Sequence, residues 1–359
     1  MKEFTMTKTV LISGGAGFIG TKLANRLSAD YSLVLVDNLH PQVHASGEWP
    51  ANSPADAVRI VGDVTDSAMW AAVVEEHRPE IVVHLAAETG TGQSLTQSNR
   101  HASVNVSGTA QLLDALSNSG HRPESILLAS SRAVYGEGQW LSNSGETYYA
   151  QARGEAQLLR EEWEPFGPDG EQGTAVAHNA ATVEPRPTNV YAATKLAQEH
   201  ILSSWCTAMD VPLTVLRLQN VYGAGQALEN SYTGVLTFFA TQAIAGKPID
   251  VYEGGGIIRD FVHVDDVVSA FHAAIEKLPE SGFRLLDIGS GSQGTLLDYA
   301  TELAEVAGSP APVITTKFRL GDVRAASADI EPARAEIGYD PQVSFATGVS
   351  GLLDFARQG

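Results

Sequence analysis

Between a short aliphatic run, Thr9 to Ser13, and a helical pattern from Phe18 to Leu27, the chain reads Gly14-Gly15-Ala16-Gly17-Phe18-Ile19-Gly20. Glycines at 14, 17 and 20 leave out the side chains that would block a tight turn, a close approach of backbone to a pyrophosphate, and close packing of helix on strand. The helix N-terminus then presents oriented N–H groups to an anion. A second run, Ser32 to Val36, ends on Asp37, placed to accept both ribose hydroxyls of an adenosine half and to repel a 2′-phosphate. Strand, glycine loop, helix and acidic residue together specify dinucleotide binding, with NAD expected over NADP.

The rest of the first half continues that pattern. Aliphatic runs at Val58 to Val61, Glu80 to Leu85 and Ser125 to Ala129 alternate with amphipathic segments at Asp66 to Glu76 and Val104 to Leu116. Continuous apolar strands between helices read as a parallel sheet covered on both faces, which binds ligands at the carboxyl ends of its strands. After Val134-Tyr135-Gly136 the periodicity lapses, and 137–183 is polar and acidic, with one helix expected around Tyr149 to Glu162. That is long for a plain loop and reads as an inserted substructure. A helix from Val190 to about Ala208 and a strand Leu213 to Leu218 follow. Mixed elements come next: helix Gly234 to Ala245, strand Ile249 to Tyr252, helix Val264 to Ile275, strand Arg284 to Ile288 and helix Thr295 to Ala307. The expected fold is α/β: a doubly wound parallel sheet (Rossmann) over 6–223, interrupted by 137–183, and a smaller α/β substrate-binding domain over 224–359. Within the latter, about 262–290 is expected to pack back on the first domain.

Composition narrows the function classes. With 23 Lys+Arg against 42 Asp+Glu the formal net charge is −19, which speaks against nucleic-acid binding, where clustered positive charge must neutralise phosphates. The single cysteine, Cys206, excludes an intramolecular disulfide and a multi-thiolate metal cage. No apolar run approaches the roughly 18 residues that span a bilayer, and no secretory leader is evident. The expectation is a cytoplasmic chain with no metal, no membrane contact and no nucleic-acid partner.

Tyr191-Ala192-Ala193-Thr194-Lys195 sets a phenol and an ammonium four residues apart on one helix face. Tyrosine, with an ordinary pKa of about 10, acts as a base near neutrality only when a cation stabilises its phenolate. Ser130 and Ser131 end the fifth strand, where a hydroxyl can bond a substrate oxygen, or merely satisfy backbone. Asp63, followed by Val64, stands after the third strand and reads equally as a contact to the adenine amino group or as a capping turn before Asp66.

Together these pieces resemble the extended short-chain dehydrogenase/reductase family, specifically its nucleotide-sugar epimerases and dehydratases. The motif set runs from Val10 to about Phe355: the glycine loop, His84-Leu85-Ala86-Ala87, Ser130-Ser131 ahead of Val134-Tyr135-Gly136, the Tyr191/Lys195 pair, Arg217-Leu218-Gln219-Asn220-Val221-Tyr222-Gly223, and Arg259-Asp260-Phe261-Val262-His263-Val264. More narrowly, Glu88-Thr89-Gly90-Thr91-Gly92-Gln93-Ser94, Asn230-Ser231-Tyr232-Thr233-Gly234-Val235 and the long insertion look like the dTDP-L-rhamnose 4-epimerase group.

The resemblance implies a catalytic set of Ser131, Tyr191 and Lys195. Tyr191 would take the proton of the sugar C4 hydroxyl while hydride passes to NAD, Lys195 would hold the nicotinamide ribose, and Ser131 would bond the C4 oxygen. The keto sugar then turns and hydride returns to its other face. It implies cofactor contacts from Gly14, Gly17, Phe18, Ile19, Gly20, Asp37, Asn38, Asp63, Val64, Leu85, Ala86, Ala87, Tyr191 and Lys195. Thr89, Thr91, Ser131, Arg132, Asn220, Asn230, Arg259, Arg319 and Arg324 are the implied contacts to a nucleoside-diphosphate sugar, dTDP favoured. It also implies deoxysugar biosynthesis and a homodimer, with helices near Val104 to Leu116 and Tyr191 to Ala208 pairing across a two-fold axis. Sugar 4,6-dehydratases of the family carry an Asp-Glu pair directly after the Ser/Thr; here those positions are Arg132 and Ala133, which removes the acid and base that elimination needs. An NAD-dependent oxidoreductase or dehydratase releasing a keto sugar is the alternative, and a non-catalytic NAD sensor a third. Such a sensor needs the glycine loop and Asp37 but not a Tyr/Lys pair.

Other features take plainer readings. Cys206 reads as a core residue, His84 as strand-end packing, and Arg160-Glu161-Glu162 as a solvated helix face. The aromatics of the insertion, Trp140, Tyr148, Tyr149, Trp163 and Phe166, suit a lid, a subunit contact or a local core.

Overall fold

The aliphatic runs become strands in a computed structural model that describes residues 7–227 and 234–358. Strands β1 (Thr9–Ser13), β2 (Ser32–Asp37), β3 (Val58–Val61), β4 (Ile81–His84) and β5 (Ser125–Ser131) join two later ones, Leu213–Leu218 and Phe283–Ile288, in a single sheet. Its seven strands run in the order Phe283–Ile288, Leu213–Leu218, β5, β4, β1, β2, β3. β1 is parallel to β2 on one side and to β4 on the other, so the order reverses at β1 and opens a crevice at its carboxyl end. Every residue of β4 is buried, as continuous apolar runs require in a sheet covered on both faces. β3 differs: it is the edge strand, and Val58 and Val61 are 44% and 64% exposed.

Caps set the helix limits. α1 (Phe18–Leu27) follows the glycine loop, and α2 (Ser67–His77) starts where the Asp66 carboxylate accepts from Ala68 N at 2.8 Å and Met69 N at 3.2 Å. The helix Val190–Met209 is capped by Asn189, which accepts from Ala192 N at 2.9 Å, and ends on Asp210 in the left-handed region. Thr295 and Asp298 form a reciprocal capping box at the start of Leu296–Ala307, and Gly308 closes that helix.

Two expected helices come out differently. The periodic stretch Val104 to Leu116 is part of a longer run: α3 (Thr91–Thr96), α4 (Ser98–His101), a π-helical turn Ala102–Ser107, and α5 (Gly108–Asn118). A wide turn breaks the 3.6-residue period that pattern reading relies on. The helix expected around Tyr149 to Glu162 is instead a strand, Thr147–Tyr149, and a short helix, Glu155–Leu158. Burial of Arg153 and the left-handed backbone of Glu161, φ 60°, interrupt it on either side.

The chain divides into two units. The first holds the described residues up to Ser130 with Asn189–Leu216 and Val268–Leu285; the second holds Ser131–Thr188, Arg217–Val267 and the chain from Leu286. The division departs from the boundary expected at 223, since 131–188 groups with the C-terminal half. The core of the first unit gathers Leu11, Val34, Trp70, Val82, Leu112, Ile126, Leu202 and Cys206. The second has its own core, where Phe261 meets Tyr299 edge-on at 4.8 Å and Tyr299 lies 4.6 Å from Phe345.

The insertion lies in the second unit as an antiparallel sheet, with Gln139–Leu141 between Thr147–Tyr149 and Thr174–Ala175. Its aromatics hold it together. Trp140 is buried and donates to Glu137 O at 2.9 Å, Tyr148 donates to Pro165 O at 3.0 Å, and the Arg186 guanidinium lies 3.8 Å over the Tyr149 ring. That is the local-core reading for Trp140, Tyr148 and Tyr149, whereas Phe166 is exposed.

Candidate functional site

The glycine loop has no room for a side chain at Gly14, Gly15 or Gly20. Gly14 has φ 72°, and a Cβ there would lie 2.9 Å from Ala86 N; one on Gly20 would lie 2.1 Å from Gly14 O. Gly17 is the N-cap of α1 and offers no side-chain cap, in contrast to Asp66 on α2, so the first turn of α1 is left to an outside acceptor. Phe18 and Ile19 open that turn, half-buried. Asp37 accepts from Ala16 N at 3.1 Å and Leu39 N at 2.9 Å, bringing a carboxylate against the loop with lone pairs to spare for a ribose. An uncapped helix start, a cradle that any Cβ would fill and an adjacent carboxylate fit a dinucleotide.

Around this cradle, Leu85, Ala86 and Ala87 follow β4, with Leu85 N donating to Ser13 O at 3.0 Å. Val64 is buried against Gly108, where a Cβ would meet its methyl at 2.7 Å. Asn38 donates to Asp63 at 3.0 Å, and Thr65 donates to the other oxygen from its N and Oγ1 at 2.9 and 2.7 Å. Burial would raise the Asp63 carboxyl, but these hydrogen bonds and nearby His40 outweigh it and hold it below the ordinary range. Asp66, not Asp63, caps α2. Thr89 and Thr91 are exposed in the segment after β4.

Tyr191 and Lys195 lie one turn apart near the start of the helix Val190–Met209. The Tyr191 ring is half-buried and meets His101 edge-on at 6.4 Å. Lys195 is 3% exposed. Burial pushes its ammonium down to about 7, against the opposing pull of Glu199. Ser130, the neighbour of Ser131, donates to Glu199.

From Lys195 a buried file of polar groups runs to the glycine loop. Lys195 Nζ donates to Gln198 Oε1 at 2.5 Å, and Gln198 Nε2 donates to Thr109 Oγ1 at 2.8 Å. Thr109 donates its hydroxyl to Asn105 O at 2.6 Å, so it is an acceptor toward His84 Nε2 at 3.0 Å. That fixes the His84 proton on Nε2. Ser13 therefore donates to His84 Nδ1 at 2.7 Å and accepts from Ala86 N at 3.3 Å. Burial first, and Lys195 second, push His84 down to about 3, so the ring is neutral.

Sequence reasoning missed Asn105, Thr109 and Gln198. Fully buried in the π-helical turn, Asn105 accepts from Glu88 N at 2.7 Å and donates to Glu88 O and Thr194 Oγ1, both at 3.0 Å. The signal available was Asn105-Val106-Ser107-Gly108-Thr109, three polar side chains and a glycine inside an otherwise apolar helical stretch.

In the second unit Ser131 caps the short turn Arg132–Tyr135, accepting from Ala133 N at 3.2 Å, and its own hydroxyl hydrogen remains to donate. Arg132 Nε donates to Asn220 Oδ1 at 3.1 Å, which brings two expected substrate contacts together. Nearby, Tyr135 donates to Asp287 at 2.9 Å, with Arg217 4.7 Å over its ring and His178 4.3 Å from it. His178 was also missed; burial, then the charges of Arg132, Arg217 and Arg259, push it down to about 3.

The three arginines expected to grip a diphosphate have different settings. Arg319 is exposed, 5.8 Å over the Tyr252 ring. Arg259 is 4% exposed and donates to Asp322 and Val323 O, both at 2.9 Å. Arg324 departs from the expectation: it is buried and donates to Glu164 at 2.5 and 3.0 Å and to Glu253 at 3.4 Å. Two carboxylates occupy its fork, so it ties the insertion to the rest of its unit. Asn230 lies outside the described residues. Among the described residues no group of three His, Cys, Asp or Glu side chains is placed to hold a metal ion.

The family model described as "NAD dependent epimerase/dehydratase family" matches residues 10–154 and 164–289. A dTDP-L-rhamnose 4-epimerase of Burkholderia thailandensis is 47% identical over 352 residues, covering 98% of this chain and 95% of that one. A UDP-glucose 4-epimerase of Mycolicibacterium smegmatis is 29% identical over 97% of this chain and 98% of its own. Among solved structures, the UDP-glucose 4-epimerase of Thermotoga maritima with UDP-glucose superposes with a TM-score of 0.79 at 27% identity, over 98% of this chain and 99% of that one. The UDP-glucose 4-epimerase of Thermus thermophilus, in complex with NAD, gives 0.75 at 28% identity, over 97% and 99%.

Proposed function

The chain belongs to the NAD dependent epimerase/dehydratase family, and on that premise we propose that it is a nucleotide-sugar 4-epimerase interconverting dTDP-L-rhamnose and dTDP-6-deoxy-L-talose. The observation that carries the substrate is the 47% identity, over 98% of this chain, to a dTDP-L-rhamnose 4-epimerase. NAD is its cofactor, held on the glycine loop with its adenosine ribose at Asp37. When bound, NAD would supply an acceptor for the C4 hydride and the same hydride for return.

The chain's own residues handle the proton and the sugar. Tyr191 takes the proton of the C4 hydroxyl and later gives it back, so one side chain is base and then acid. Lys195 stabilises the phenolate while it exists and bonds the nicotinamide ribose. Ser131 donates its free hydroxyl hydrogen to the C4 oxygen. Arg132 and Asn220, joined at 3.1 Å, together with Arg259 and Arg319, contact the diphosphate and sugar. With Arg132 and Ala133 after Ser131, no acid–base pair stands where a dehydratase needs one, which supports epimerisation over elimination. We also propose a cytoplasmic homodimer, checked by light scattering; no described helix is long and apolar enough to cross a membrane.

The test is incubation with dTDP-L-rhamnose in deuterated water without added cofactor, followed by proton NMR and NADH absorbance. The expected result is a C4 epimer carrying no deuterium at C4 and no accumulating NADH. An unchanged sugar overturns the substrate, and NADH accumulating with a keto sugar overturns the reaction in favour of an oxidoreductase.

A further inference from the structure

Glu88-Thr89-Gly90-Thr91-Gly92-Gln93-Ser94 has no part in the proton transfer described above, yet it is densely bonded. Two segments leave the sheet on either side of the glycine loop, one after β2 from Asn38 and one after β4 from Leu85. The loop lies between them: Gly14 N donates to Val36 O at 2.8 Å on one side, and a Cβ on Gly14 would meet Ala86 N on the other. Farther out the two segments are tied to each other. Gln42 Nε2 donates to Gln93 Oε1 at 3.0 Å, and Gln93 Nε2 donates back to Gln42 Oε1 at 3.2 Å. Gln93 is 3% exposed and also donates to Gln97 Oε1 at 3.0 Å.

A second tie runs alongside. Arg100 Nη1 donates to Gln97 Oε1 at 3.2 Å, and its Nη2 reaches Glu88 Oε1 at 2.6 Å and His40 Nδ1 at 3.4 Å. His40 Nδ1 also accepts from Gln42 N at 3.1 Å, so the ring of bonds closes on itself: 42, 93, 97, 100, 40 and back to 42. Starting in the sheet at β2 and β4, on either side of the glycine loop, the two segments meet at Gln42–Gln93 and form an arch from one strand to the other.

We propose that this arch retains NAD: Gln42, Gln93 and Arg100 form a bracket across the cofactor's exit, and the cofactor leaves only when the bracket opens. The inference rests on the NAD reading of the glycine loop. It suits a reaction in which the hydride returns to the sugar, since the oxidised cofactor is restored each cycle and exchange serves no purpose. An oxidoreductase that released a keto sugar and left the hydride on its cofactor would have to exchange that cofactor at every turnover.

The test reads cofactor release. NAD-loaded protein is mixed with an alcohol dehydrogenase and ethanol, which convert each released NAD to NADH, and the rate is followed by absorbance. Gln42→Ala and Arg100→Ala each should speed release about tenfold, the effect of a single lost interaction of about 1.4 kcal/mol. Gln42→Glu keeps an acceptor for Gln93 Nε2 and should release NAD more slowly than Gln42→Ala. Thermal unfolding of the cofactor-free variants, matched to the parent, separates loss of the bracket from loss of the fold. Release within about threefold of the parent in both alanine variants overturns the proposal, as does a parent that gives up its NAD on mixing. Neither result touches the epimerase reading, which is judged on the fate of the sugar.

Discussion

The two units bury polar groups in opposite ways. In the first, uncharged Ser13, His84, Thr109 and Gln198 lead to an ammonium, Lys195, each donor meeting an acceptor. In the second, three buried guanidinium groups stand among carboxylates: Arg153 on Glu253 at 2.5 Å, Arg324 on Glu164 and Glu253, and Arg259 on Asp322. Burial pushes Lys195 down to about 7, and the single carboxylate facing it, Glu199, offsets this only in part. Clustered carboxylates hold the arginines in place, and removing one partner leaves a buried charge uncompensated. The poorly compensated Lys195 is the charge assigned to chemistry, whereas Arg153 and Arg324, each held by two carboxylates or more, are architecture.

The largest test of that contrast is Tyr191→Phe. It should lower kcat by on the order of 10²–10⁴-fold, the range of general acid–base catalysis, while the protein still holds NAD and unfolds as before. Equal losses of activity and of NAD content would mean that the first unit's polar groups are architecture too. Glu253→Ala strikes the second unit, leaving Arg153 and Arg324 with one carboxylate fewer. It should cost about 3–5 kcal/mol in urea unfolding, as for other broken buried pairs. A cost under about 1 kcal/mol would show that water reaches the cluster and that the contrast is overstated.

Gly14→Ala sharpens the picture of the cradle. A Cβ 2.9 Å from Ala86 N at φ 72° should strain the loop by about 1–3 kcal/mol and weaken NAD binding accordingly, read by titration of the cofactor-free protein.

Acid separates the units further. His84 has a folded pKa of about 3 against 6.5 when unfolded, so between those values the unfolded chain binds more protons and stability falls as pH falls. Asp63, held low, acts in the same direction below its ordinary value. In the second unit His178 does likewise, but burial raises Glu137, Asp260 and Asp266, whose folded forms take up protons first and gain stability as pH falls. Hydrogen exchange compared at pH 7 and pH 5 should show amides of β1 and β4 losing more protection than those of Leu296–Ala307. The reverse order would break the comparison.

The same division explains what could be read from the sequence. The glycine loop, the strands flanking it and the Tyr191/Lys195 spacing each depend on residues within a turn or two of one another, so local pattern suffices. Asn105 and Gln198 escaped because their meaning lies in partners far along the chain, Thr194 and Thr109, each 89 residues distant. The second unit was harder still. Arg153 and Glu253 are 100 residues apart, and Arg324 and Glu164 are separated by 160. No periodicity announces such pairs, so local pattern reads a helix through the stretch where Arg153 turns inward. Arg324 was read as a phosphate ligand because an arginine in the right stretch looks the same whether its fork is open or filled.

The wide turn at Ala102–Ser107 makes chain length itself a determinant here. A π turn closes its hydrogen bonds over one residue more than an α turn. Deleting a single residue from it would restore an ordinary helix and swing everything on its N-terminal side, α3 and α4 included, by about 100° relative to α5. Asn105 would then lose its register with Glu88 and Thr194, whatever its identity. A library that varied the number of residues while sparing their kind would find this stretch intolerant, and a one-residue gap there marks a relative that must support its tyrosine helix by other means.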